Sequence, residues 1–295
     1  MKVKRIIALL LTGLLLFACV GCIRITGLSC SVPVRYTNAD KYTAGNFTYE
    51  SDKVKKVEIE WAAGGIKLMN AKGTLSVTES GSDDLDEEEQ MHWWLDGTTL
   101  KIKFCKSGYQ YDLTDAFNKK KELTVELPDF VDLEIDVASG KVSAENMLNL
   151  GKLTLDTASG GTDIRFLSAK EVKVDSASGG VAFGSVSVSA DFKVNTASGG
   201  LTVDRISAGE IEIDSASGGV TLGIDTVEKI KIDSASGSIR LKLNLPERGA
   251  TVRCDKVSGS FNVKLPYEKD GETYKIGLGA TDIKIEVVSG GVTIE

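Results

Sequence analysis

The sequence predicts an all-β protein whose body is a parallel β-solenoid, or β-helix, of coils about 19–20 residues long. Three observations predict it. A D-x-A-S-G core recurs as DVASG (136–140), DTASG (156–160), DSASG (175–179), NTASG (195–199), DSASG (214–218) and DSASG (233–237), with degenerate copies KVSG (256–259) and VVSG (287–290). The six glycines, Gly140, Gly160, Gly179, Gly199, Gly218 and Gly237, are spaced by 20, 19, 20, 19 and 19 residues. Apolar residues alternate with polar ones on both sides of each motif, the period of a half-buried strand.

Five residues before each glycine stand Ile135, Leu155, Val174, Val194, Ile213 and Ile232; two earlier stand Leu133, Leu153, Val172, Phe192, Ile211 and Ile230. Polar residues separate them. Beyond the glycine the apolar positions resume as Val181 with Phe183, Leu201 with Val203, Val220 with Leu222 and Ile239 with Leu241. Their parity has slipped by one, which demands a bend inside S-A-S-G-G, and glycine and alanine leave room for it. A unit with two short strands cannot bury its apolar side alone. Stacking unit on unit buries it and sets equivalent strands about 4.8 Å apart. A meander of hairpins would alternate strand direction, whereas identical residues at identical phase suit in-register stacking.

Composition agrees. The 295-residue chain is 42% hydrophobic but only 6% aromatic, with 31 Gly and 4 Pro. Its net charge is −7, and a nucleic-acid partner normally needs a basic face, so none is expected.

Residues 1–23 read as a lipoprotein signal peptide or a transmembrane anchor. Lys2, Lys4 and Arg5 precede an apolar run from Ile6 to Val20, and the basic flank keeps that end cytoplasmic. Within L-F-A-C-V-G-C (16–22), Cys19 and Cys22 each follow a small residue and are candidate lipidation sites. The alternative is an uncleaved helix, since Ile6 to Ile23 spans 18 residues, near the lower limit for crossing a bilayer. Both readings put the rest on the extracytoplasmic face of the membrane, held there by lipid or helix. Residues 24–50 read as a tether, 51–132 as irregular N-terminal β coils, 133–244 as the regular repeat and 245–295 as C-terminal coils with a cap. The cap is needed because the open end of a stack exposes unpaired strand edges.

At these residues a family resemblance appears. L-T-V-E-L-P (123–128), the S-A-S-G-G turns and the closing V-S-G-G-V-T-I (288–294) resemble the DUF4097 family of bacterial envelope proteins, catalogued as candidate adhesins. The resemblance covers roughly residues 55–295. It implies a solenoid-like domain outside the cytoplasmic membrane, often in Gram-positive bacteria, and brings no catalytic residues with it.

Four features invite chemistry. Asp136, Asp156, Asp175, Asp214 and Asp233, with Asn195 among them, would stack as one acidic column. A column of carboxylates is a conceivable cation ladder, but Asn195 contributes no charge, and Asp and Asn at such positions ordinarily cap their own turns; no metal or other cofactor is expected. The serines of the repeat, Ser139, Ser159, Ser178, Ser198, Ser217 and Ser236, lack a base, because the sole histidine, His92, lies outside the array. The acidic run from Asp83 to Glu89 reads as a solvated loop. Beside it, Trp93 and Trp94 form the best candidate contact for a glycan or protein surface ligand. Cys105 and Cys254 sit in apolar patterns and read as buried thiols.

The function expected is therefore a non-catalytic, membrane-anchored surface protein, an adhesin or scaffold presenting a long solenoid face. An envelope-stress regulatory protein acting on a membrane partner is the alternative, and a polysaccharide-active enzyme the third reading. Such an enzyme would gather carboxylates at one point of the face, and here the polar positions repeat smoothly.

Overall fold

In the computed structural model, residues 24–26, 29–71, 73–81, 85–112, 121–244 and 248–295 are described. The predicted signal or anchor lies outside them, and so do Cys19 and Cys22. No helix among the described residues is long and apolar enough to cross a membrane.

The chain winds into a parallel stack of rungs. On the leading side of the S-A-S-G corner, Val131–Ser139 pairs in register with the end of Val142–Ser159, then follow Glu171–Ser176, Asp191–Thr196, the end of Leu201–Ser215 and the end of Val220–Ser236. On the trailing side the order is the start of Val142–Ser159, Thr162–Ala169, Val181–Val188, Leu201–Ser215, Val220–Ser236 and Ile239–Leu243. Every one of these pairings is parallel. Each rung between 133 and 243 therefore closes against the one before it, as the repeat predicts.

A rung bends three times, not once. Inward residues run Leu153, Leu155, Thr157, then Thr162, Ile164, then Leu167, Ala169, then Val172, so parity slips at the S-A-S-G corner and at two further points. The second slip falls where the ladders shift register, between Ala144 and Met147 and between Val203 and Ile206. The core is one continuous column of these residues, nearly all almost wholly buried, each contributing about 1.5–3 kcal/mol over exposure.

Both ends depart from linear order. The first rung, Lys56–Ala63 with Gly65–Asn70, is not outermost. It lies between Val131–Ser139 and Thr99–Lys103 on the leading side, and between Val142–Ser159 and Glu122–Leu127 on the trailing side. At the far end Thr281–Ser289 inserts between Val220–Ser236 and Ala250–Ser258, and Val292–Ile294 between Ile239–Leu243 and Phe261–Val263. The sequence shows the corner of each rung but not this exchange of neighbours.

Antiparallel strands cover the ends. Thr74–Ser80 pairs with Glu122–Leu127, and Phe47–Glu50 with Thr74–Ser80; His92–Asp96 pairs with Thr99–Lys103, and Thr43–Ala44 with His92–Asp96. At the other end Thr273–Ile276 covers Ala250–Ser258. Part of the segment expected to be a tether, residues 24–50, is thus cap: Phe47 lies 4.2 Å from the Trp93 ring, and the Tyr36 hydroxyl donates to the Cys105 carbonyl at 3.1 Å. The aromatic residues Phe47 and Tyr49 supply the reason, since they alternate along the strand and pack, half-buried, against Trp93.

Candidate functional face and the closed cluster in the cap

The D-x-A-S-G corners stand in single file. A Cβ on Gly140 would lie 1.8 Å from the Gly64 carbonyl oxygen, one on Gly160 1.9 Å from that of Gly140, and one on Gly199 1.9 Å from that of Gly179. The file continues through Gly218 and Gly237 to Gly290 and ends at Gly259, which confirms the inserted rung independently of strand pairing. Glycine is required here because the backbone of one rung occupies the space of a side chain on the next.

The repeated serines bond from rung to rung. The Ser178 hydroxyl donates to the Ala158 carbonyl at 3.0 Å, Ser198 to Ala177 at 3.2 Å and Ser217 to Ala197 at 3.2 Å. The turn itself is closed by the residue after the Asp. Ser176, Thr196 and Ser215 donate to the carbonyls of Gly179, Gly199 and Gly218 at 2.8–3.0 Å. Sequence reasoning assigned that role to the Asp and Asn side chains. In the structure these point outward and interact with one another and with lysines.

The acidic column is longer than the repeat suggests. Pairing registers align Glu60, Asp136, Asp156, Asp175, Asn195, Asp214, Asp233, Glu286 and Asp255. Two residues earlier runs a mixed column that includes Lys101, Glu134, Lys173, Lys193, Glu212, Lys231 and Lys284. Lys173 reaches Asp175 at 2.5 Å, Lys231 reaches Asp233 at 2.9 Å and Glu212 at 3.1 Å, and the Asn195 amide donates to Asp175 at 2.6 Å. Asp156 stands between the Asp136 and Asp175 carboxyls in the column. Burial and the negative charge of Asp175 push it up to about 7. Burial acts on Asp175 as well, but its bonds from Lys173 and Asn195 outweigh it and hold that carboxyl below the usual range. Of these two carboxyls, Asp156 is the one whose affinity for a proton is raised. Among the described residues, no group of three or more His, Cys, Asp or Glu is gathered in the way that holds a metal ion.

The cap encloses a charged cluster that the repeat gives no sign of. Lys121, fully buried, meets the equally buried Glu79 at 2.8 Å and donates to the backbone carbonyls of Glu89 and Phe104. Its ammonium lies 4.0 Å from the Phe104 ring centre and 5.2 Å from that of Trp61. Glu79 also accepts the Met91 N–H at 2.8 Å. Burial lowers Lys121 and raises Glu79 relative to their ordinary values, and their mutual attraction opposes both shifts. Glu89, expected in a solvated acidic loop, turns inward and accepts the Tyr109 hydroxyl at 2.8 Å, while Asp86, Glu87 and Glu88 stay exposed. Burial pushes the Cys105 thiol beside it up to about 12, leaving it unreactive. A Lys at 121, the last of three consecutive lysines before a strand, and a Glu at 79 on another strand are a weak sequence signal. Only folding brings them together.

The tryptophans also belong to this end. Trp93 stacks among Phe47 and Tyr49. Trp94 packs edge-on against Tyr42, with Lys41 and Lys101 ammoniums 4.7 and 5.1 Å from its ring centre. Nearby Phe130, 78% exposed and at a backbone φ of 64°, overhangs a groove of about 560 Å³ lined also by Asp52, Val54, Lys55 and Asp129.

The profile of the Toastrack DUF4097 family matches residues 54–295, from the first rung to the last strand. The chain belongs to that family. Among solved structures, this Toastrack chain is similar to a candidate cell adhesion protein from Clostridium sporogenes, at 15% identity over 86% of this chain and 99% of the other, with a TM-score of 0.30. It is also similar to a candidate adhesin from Bacteroides fragilis, at 17% identity over 85% of this chain and 96% of the other, with a TM-score of 0.47. No curated protein matches the chain.

Proposed function

We propose that this Toastrack protein is a non-catalytic module of the bacterial cell envelope, held to the extracytoplasmic face of a Gram-positive cell membrane by its N-terminal lipid or helix. Its long leading face is the adhesive or scaffolding surface, and its ligand is a protein or glycan of the envelope or of an external surface. The observation that carries this reading is the repetition of the face: an Asp or Asn column recurs rung after rung in one register, flanked by a mixed column of Lys, Glu and Thr. Recognition spread over many equivalent rungs suits binding to an extended partner, whereas catalysis needs a few groups that differ from the rest. The ion pair of Lys121 and Glu79 has both side chains buried in the cap.

The test is photo-crosslinking in intact cells from probes placed at Thr154, Lys193 and Glu212, with purified protein incubated in parallel with peptidoglycan and common polysaccharides. Capture of an extended surface polymer or an external protein is expected. Capture of a membrane sensor would overturn adhesion in favour of regulation, and new reducing ends would overturn the non-catalytic reading.

A further inference from the structure

We infer that the exchanged rung order at both ends is a lock against unravelling, so that neither end of the body peels away one rung at a time. In a simple solenoid the terminal rung has one neighbour and frays first, because each rung contacts only the next. Here the rung nearest each flank has two. Ile283 lies between Ile230 and Val252, and Ile285 between Ile232 and Cys254. Val57 lies between Leu133 and Leu100, and Ile66 between Val142 and Leu123. Drawing either rung out breaks two ladders on each side of the corner at once.

The outermost rungs are held differently. Thr99–Lys103 with Glu122–Leu127, and Ala250–Ser258 with Phe261–Val263, are internal to the chain and tied at both ends. Either can leave only as a closed loop, which gains less chain entropy than a free end does. Each also has its own fastening. Lys121, at the start of Glu122–Leu127, is fixed by Glu79, and its carbonyl fills the space above Gly64. At the other end the Ser258 hydroxyl donates to the Val288 carbonyl at 3.1 Å, joining the outermost rung to the inserted one. Neither layer can go first at low cost. The surface role gives this lock a use, but its physics does not rest on that role.

Native-state hydrogen exchange on the full chain in mild detergent tests it. The amides of Val57, Ile59, Ile283 and Ile285 should exchange within about tenfold of those of Ile211 and Ile213 in the centre of the stack. Exchange more than tenfold faster at either end would overturn the lock. A second measurement does not depend on exchange: a protease site inserted at Gly271, in the exposed turn between Glu268–Asp270 and Thr273–Ile276, is cut in the folded protein. The fragment beginning at Glu272 should co-elute with the body on gel filtration until denaturant is added. Its release without denaturant would overturn the inference. Binding assays are untouched by both experiments, so the lock and the adhesive role fail separately.

Discussion

Gly290 rests on the carbonyl of Gly237: a Cβ at Gly290 would lie 2.0 Å from that oxygen. The two residues are far apart in sequence and neighbours in the stack, while Gly259, closer along the chain, packs on the outer side of Gly290. Close approach of backbone to backbone is thus what the repeated glycine is for.

Glycines outside the file should behave differently from those within it. Gly199→Ala meets the Gly179 carbonyl and should cost about 1–3 kcal/mol or more, as overpacking does. Gly180 has nothing within 4 Å of a built Cβ and no left-handed φ. Gly180→Ala should be neutral or stabilising by about 0.4–1 kcal/mol, through the unfolded chain. Urea unfolding of both variants checks the contrast.

Corner hydroxyls should split by rung. Thr196 donates to Gly199, so Thr196→Val should cost about 1 kcal/mol. Thr157 occupies the same place in an earlier rung, yet its buried hydroxyl has no partner. Thr157→Val should leave stability unchanged or raise it, because an unsatisfied buried group is removed. Val137 already stands at that position one rung before. Equal losses in the two variants would refute the distinction.

Breaking the capped ion pair should be expensive. Lys121→Met leaves Glu79 buried and unpaired and should cost about 3–5 kcal/mol; Lys121→Met with Glu79→Gln should recover much of it. Thermal unfolding followed by circular dichroism gives the comparison, and a double variant as damaged as the single one would contradict it.

Asp156 should impose a pH slope. Its folded value near 7 exceeds the ordinary 3.8, so the folded state holds the proton more tightly between those values. The contribution is full below about pH 4, declines as pH rises and is gone above about 7. Asp156→Asn should flatten that slope and be relatively more stable at pH 8 than at pH 5. Denaturation midpoints at the two pH values decide it; an unchanged slope would show that the proton resides elsewhere.

Much of this protein was legible in its residues. The glycine spacing and the alternation around it determined a stack of parallel rungs from 133 to 243, because in-register stacking is the arrangement that buries every Ile and Val of the repeat at equal phase. The inward parity of Ile164, Leu167 and Val172 even records the extra bends, though the corner motif alone marks only one. The role of the acids was not legible. Asp at the turn reads locally as a cap, whereas its real neighbours, Lys173, Asn195 and the next carboxyl, come from other rungs.

Only the tertiary structure decided the rest. Periodicity says which residues are equivalent but not which rung lies next to which, so the insertion of Thr281–Ser289 beneath Ala250–Ser258 leaves no local trace: either order satisfies the same register. The Lys121–Glu79 pair is likewise invisible, since its partners meet through antiparallel cap strands that carry no repeat. Two rungs with one sequence pattern also close their corners differently: Gly160 takes φ 138° with Thr157 unbonded, and Gly218 is held by Ser215 at 3.0 Å. Local chemistry permits both, and the packing of neighbouring rungs selects between them.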